Sequence, residues 1–233
     1  MRLALLAGVH ANLPAFEAVL AALRRETLDE TFDLGNLVGF GPHPTECAGL
    51  SGKRRLEGLL GSFEAAAFGE ARVPRDAFPL AADRAAFEAV VERLRATLPA
   101  ADQRRLGARP PTRRLVADGR RVVLAHGSSA SPFERVPLDS DDTLLARHLD
   151  AARADVLVLG HAPRVATRRV GERLVVWCGS VGRARDPRGR RVAEAAWCIL
   201  DTAGPSVEPR ATAFDLASVE RDTLKSATPD SSL

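Results

Sequence analysis

At 233 residues the chain is long enough to bury a full hydrophobic core as one compact unit, or at most two small ones. Hydrophobic residues make up 45% and charged residues 27%, close to ordinary soluble proteins, which excludes disordered, collagen-like and fibrous readings. The net charge of +3 is slight over this length, so composition does not indicate a nucleic-acid partner. Lysine occurs only at Lys53 and Lys225, and the remaining basic residues read as a solvated arginine surface.

Cys47, Cys178 and Cys198 lie far apart with no C-x-x-C pair, which argues against a disulfide framework or a zinc ribbon and fits a reducing cytoplasm. Met1 to Ala7 imitates the start of a signal peptide, yet its apolar run ends within one strand length and meets His10 and Asn12. It reads as a buried first strand. No apolar run approaches the length of a membrane helix, so a cytoplasmic protein without membrane association is expected.

After this strand, Pro14 suits a first helical turn, and Phe16, Val19, Leu20 and Leu23 recur at helical spacing to about Arg25. Thr31 to Leu34 suits a short second strand running into Gly35 to Pro42, a segment too rich in glycine to be regular. Residues 44 to 51 read as helix, and Leu56 to Leu60 as a third strand ending in Gly61-Ser62-Phe63-Glu64. A long helix over about Ala82 to Leu98 carries Phe87, Val90, Val91 and Leu94 on one face, and Pro99 and Pro110-Pro111 bound a second, short one.

Thr112 to Val116 and Arg121 to Ala125 flank Asp118-Gly119, a strong hairpin signal. A helix near Asp141 to Ala152 precedes Asp155 to Leu159, an apolar run suited to a strand buried on both faces. A second hairpin is expected from Arg164 to Val170 and Arg173 to Trp177, and strands around Val192 to Leu200 and Val207 to Phe214 close the fold. One domain is expected over residues 1–225, with 226–233 as a disordered tail.

Four separated strand ends finish in His or Asn beside glycine: Gly8-Val9-His10-Ala11-Asn12, Gly35-Asn36, His126-Gly127 and Gly160-His161. In α/β sheets, ligands gather beyond the carboxyl ends of strands, so these four ends point to one site. Their order and spacing, together with Val38-Gly39-Phe40-Gly41-Pro42 and Gly179-Ser180-Val181-Gly182, resemble the calcineurin-like metallophosphoesterases, particularly the small single-domain bacterial branch. The resemblance runs from Leu3 to about Arg185 and implies a four-layer α/β/β/α sandwich of two mixed sheets flanked by helices. It also implies metal-assisted phosphoester hydrolysis, in which a bridging hydroxide attacks phosphorus while two cations stabilise the developing charge.

Laid on the family's motifs, D-x-H-G-N falls on Gly8-Val9-His10-Ala11-Asn12, which keeps the histidine ligand but not the first aspartate. The bridging aspartate falls on Asn36, which offers a neutral oxygen. G-N-H-[DE] becomes Gly61-Ser62-Phe63-Glu64, replacing an asparagine ligand and the histidine that stabilises the transition state. His126 and His161 are kept, and the last histidine of G-H-T-H is Pro163. Two doubly charged ions about 3.5 Å apart repel by roughly 19 kcal/mol at an effective dielectric near 20, so loss of both carboxylates weighs against a pair.

A full dinuclear centre is therefore not expected. One divalent transition metal (Zn, Mn, Ni or Fe) on His10, Asn36, His126 and His161 is the surviving possibility, with the three histidines as its core. Arg183 and Arg185, after the glycine turn, are candidates for holding a phosphate. His43 and Glu64 read as turn or surface residues, and Trp177 and Cys178 as an apolar wall, with a packing role for the thiol. The expected partner is a small phosphorylated ligand or anion, with weak or absent hydrolysis. An active single-metal phosphodiesterase or phosphatase, and a polyanion-binding module using the arginine surface, are the alternatives.

Overall fold

The computed structural model describes residues 1–69, 71–78, 80–186, 188–190 and 192–226. Its strands form two five-stranded mixed sheets. In the first, β1 (Arg2–Leu6) lies between parallel β2 (Glu30–Asp33) and antiparallel β9 (Glu194–Asp201), with the short β3 (Glu57–Gly58) and β10 (Ser206–Ala213) at the edges. In the second, β5 (Arg120–Ala125), β6 (Val156–Leu159) and β8 (Arg173–Cys178) run parallel, flanked by β4 (Thr112–Ala117) and β7 (Val165–Val170), which complete the two expected hairpins.

Alternation along the strands explains why the sheets stack. Leu3 and Leu5 of β1, Val122 and Leu124 of β5, and Val156 and Val158 of β6 all face a common core between the sheets. The intervening residues face outward onto helices. Ala4 and Leu6 join α1 (Leu13–Leu23) and α4 (Ala81–Thr97) on one side, and Val123 and Leu157 meet α6 (Asp142–Ala152) on the other. Two mixed sheets flanked by helices are the architecture expected from the sequence, including α2 (Pro44–Lys53) and α5 (Ala100–Gly107).

Two helices escaped the sequence reading. Residues Ser62–Ala67 form α3, where Glu64 accepts a hydrogen bond from Gly61 N and a run of alanines propagates the turn. Leu216–Lys225 form α7, capped by the Asp215 carboxylate and buried through Val219. Apart from Ser226, the expected tail lies outside the described residues.

Glu64 is no surface residue, as its position in the sequence had suggested. It is fully buried, and its carboxylate accepts backbone N–H groups from Asn36 at 2.9 Å, Val38 at 3.0 Å and Gly61 at 3.1 Å. Burial raises its pKa, opposed by nearby Arg109 and by these N–H donors. Asp33, also fully buried, pairs with Arg109 at 2.8 Å and accepts Gly35 N at 3.1 Å. Gly58 makes room for this guanidinium, because a Cβ there would stand 2.4 Å from Arg109 Cζ.

Arg109→Met should therefore leave a buried carboxylate without its cation and destabilise the protein by about 3–5 kcal/mol, read from the midpoint of denaturant unfolding. An unchanged midpoint would refute this role.

Candidate functional site

The carboxyl ends of β1, β2, β5, β6 and β8 open into one cavity of about 350 Å³. His10, Asn36, His126, His161, Arg183 and Arg185 all line it, so the fold brings every expected site residue to one place. The first loops are built by crossed backbone bonds: Gly8 N donates to Gly35 O at 2.9 Å, His10 N to Asn36 O at 2.8 Å and Ala11 N to Leu37 O at 2.9 Å. His10, Ala11 and Asn36 adopt left-handed φ values of 50°, 58° and 54°, unusual for residues bearing a Cβ and typical of strained, functional turns.

His126 has a fixed tautomer. Its Nδ1 donates to Leu34 O at 2.8 Å, which leaves the Nε2 lone pair buried, facing no donor in the described protein. His161 stacks on it, with centroids 5.2 Å apart and planes at 19°, and its Nδ1 is likewise buried without a hydrogen bond. His10 packs against Phe40 at 5.6 Å and edge-on to Phe63 at 5.8 Å, and its Nδ1 too is buried without a hydrogen bond among the described residues. Burial, aided by the neighbouring ring, holds His126 down to about 3, and burial with Arg135 holds His161 at about 4. Burial, with Arg183 and then the other two histidines, also lowers His10. All three rings are thus neutral at pH 7, able to offer lone pairs or N–H groups rather than charge.

These residues do not fit a two-ion centre. Among the described residues no three His, Cys, Asp or Glu side chains come together as a metal-holding group. Gly8 has a left-handed φ of 57°, and a Cβ there would meet Ser180 Oγ at 2.8 Å, a hydroxyl that itself donates to Gly8 O at 2.8 Å. A carboxylate at position 8 would have to displace this hydroxyl and hold a left-handed backbone. Asn36 Oδ1 is turned to α3, where it accepts Phe63 N at 3.1 Å and Ser62 Oγ at 3.2 Å. What the site offers a cation is neutral imidazole nitrogens, on His126 and His161 and, beside the phenylalanines, on His10.

Several positions correct the sequence reading. Trp177 does not wall the cavity: it is buried, and its Nε1 donates to Val136 O at 2.9 Å. Cys178 lies in the core between the sheets, where burial pushes its thiol pKa up, in keeping with a packing role. The apolar wall comes instead from Phe40, Phe63, Phe78, Phe87 and Phe133. His43 lies outside the cavity and pairs through Nε2 with Asp222 of α7 at 3.1 Å. Sequence reasoning missed Arg135, which lines the cavity, and Arg93, which holds the glycine-rich loop through Gly39 O at 2.6 Å and Gly41 O at 3.2 Å.

The profile of the calcineurin-like phosphoesterase superfamily domain matches residues 1–202. The chain belongs to this superfamily. Among solved structures, a metallophosphoesterase from Sphaerobacter thermophilus superposes with a TM-score of 0.76 at 22% identity, covering 99% of this chain and 96% of that one. A hypothetical protein from Pyrococcus horikoshii OT3 gives 0.80 at 18%, covering 98% and 94%. Vps29 from Entamoeba histolytica, complexed with zinc, gives 0.52 at 16%, covering 92% and 100%. At these identities the likeness is one of fold. No curated protein sequence matches the chain.

The buried histidines give a stability prediction with a defined sign. Their folded pKa values lie below the unfolded value near 6.5, so the unfolded chain binds more protons as pH falls. Their neutral burial costs nothing extra above pH 6.5. Below it, stability falls by about 1.4 kcal/mol per pH unit for each ring, down to about 4 for His161 and about 3 for His126. Thermal unfolding of chelator-treated protein should show this loss between pH 6.5 and 4, and His126→Gln with His161→Gln should flatten it.

Proposed function

We propose that this calcineurin-like phosphoesterase is a binding descendant of its family, with weak or absent hydrolysis, whose strand-end cavity takes a small phosphorylated ligand or anion. The observation that carries this reading is the engagement of Asn36 Oδ1 with the N-terminus of α3. Together with the bare Cα of Gly8, it leaves both family carboxylate positions without charge and without a lone pair aimed at a shared ion pair. Phe63 stands where the resemblance places the histidine that stabilises the transition state, and a phenyl ring cannot donate to an oxygen whose charge develops during reaction. Arg135, Arg183 and Arg185 at the cavity supply the positive field that an anion requires.

A second reading is favoured by the lone pair of His126 Nε2, oriented from behind by the Leu34 carbonyl as metal-binding histidines are, with the buried Nδ1 of His161 beside it. Here one divalent transition metal rests on the pair, and would supply Lewis acidity for phosphodiester or phosphomonoester hydrolysis. The zinc complex of Vps29 illustrates metal binding on a related fold.

Elemental analysis of protein purified without added metal, followed by assay on bis(4-nitrophenyl) phosphate, separates the readings. The expected result is fewer than two ions per chain and negligible turnover at millimolar zinc or manganese, with measurable binding of inorganic phosphate weakened several-fold by Arg183→Ala. Turnover abolished by a chelator and by His126→Asn would establish the single-metal enzyme. Two tightly held ions with robust turnover would overturn the proposal.

A further inference from the structure

Building on the reading of the cavity as a site for a phosphorylated ligand, we infer that it has two halves: a cationic half for phosphate, and an aromatic half for a planar ring whose N–H or O–H is accepted by Asp83. Four of the five phenylalanines form a connected wall. Phe63 and Phe87 stack at 4.6 Å, Phe78 lies 4.8 Å from Phe87, and Phe40 meets Phe63 edge-on at 4.9 Å. Phe63 and Phe87 are 2% and 3% exposed, gripped by the packing of α3 and α4, so their faces are set before a ligand arrives. Phe78 and Phe40 are only half-buried, and both line the cavity.

Charge separates the halves. Arg135 is close enough to His161 to depress its pKa, which puts one guanidinium at the histidine end, and Arg183 lies over the Phe40 ring at 4.3 Å, where the two halves meet. Asp83 lines the aromatic end, in the first turn of α4. Its Oδ1 is buried and accepts no hydrogen bond among the described residues. A buried acceptor of this kind costs free energy until a donor reaches it. A phosphate placed there would be repelled, whereas a ring donor would be held. The volume of about 350 Å³ lies at the lower end of small-molecule sites, which suits one ring and one phosphate.

Packing alone would explain Phe63 and Phe87, which belong to the helical core. It does not predict selectivity among ligands, and that is what the test reads. Calorimetric titration of the chelator-treated full chain at pH 7 would use inorganic phosphate, hexyl phosphate, phenyl phosphate and 4-aminophenyl phosphate. Phenyl phosphate should bind about ten-fold more tightly than inorganic phosphate and more tightly than hexyl phosphate, and the amino group should add several-fold more. Asp83→Ala should erase only the gain from the amino group. Phe78→Ala should erase the gain from the ring and leave inorganic phosphate unchanged.

Equal affinity for hexyl and phenyl phosphate would overturn the ring subsite. Equal affinity for all four probes would overturn the aromatic half altogether while leaving the phosphate-binding reading intact. Failure of every probe to bind would sink both.

Discussion

The buried carboxylate of Glu64 is the constraint from which the site follows. A charge at 0% exposure is costly, and this one is offset by three backbone N–H groups from two separate segments, 36–38 and Gly61, with Arg109 adding favourable field. Meeting that demand draws the loop after β2 onto the start of α3. This puts Asn36 in reach of Phe63 N and sets Phe63 against His10. Asp33 and Arg109 repeat the device one step earlier in the chain, holding Gly35 and the end of β3. The polar interior beneath the cavity is thus a scaffold, and the groups that face the cavity are oriented by it.

What the resulting cavity can do depends on which side of each residue is spoken for. Asn36 has spent its oxygen on α3, Ser180 its hydroxyl on Gly8, and His126 its Nδ1 on Leu34. The imidazoles stay neutral because their burial outweighs any gain from charging. On the proposed reading, anion recognition falls to guanidinium groups, which cannot lose their protons, while the histidines contribute shape and single hydrogen bonds. Such a division of labour suits retention of a ligand more readily than attack on phosphorus.

Much of the fold was legible because the sequence states it locally. The apolar run that ends β5, the unbroken one in β6 and the Asp118-Gly119 turn each have one economical interpretation. The histidines at strand ends were legible for the same reason, since glycine beside histidine after an apolar run marks where a sheet ends. Assemblies made from distant segments were not. The aromatic wall joins residues from the β2 loop, α3, the segment before α4, α4 itself and the loop after His126, and nothing in any one of these says that they meet. Glu64 looked like an exposed residue because its partners are backbone groups, which leave no trace in a side-chain pattern. Trp177 was placed at the cavity through its likeness to a family turn, whereas alternation along β8 decides it: its neighbour Cys178 faces the inter-sheet core, so Trp177 faces α6.

The hydrogen bond from His126 to Leu34 joins the end of β5 to the end of β2, and so links one sheet to the other. Between the sheets the core is of Leu, Val, Ala, Cys and Phe32 side chains, which resist separation but have little preference for one lateral offset. The imidazole therefore acts as an indexing pin for two layers at the cavity end, as Thr202 on Asp118 and Arg113 on Glu57 do elsewhere. Any occupant reaching from His10, beyond the end of β1, to His161, beyond the end of β6, would add a further pin, and the molecule would gain rigidity across its midplane without a change in its core.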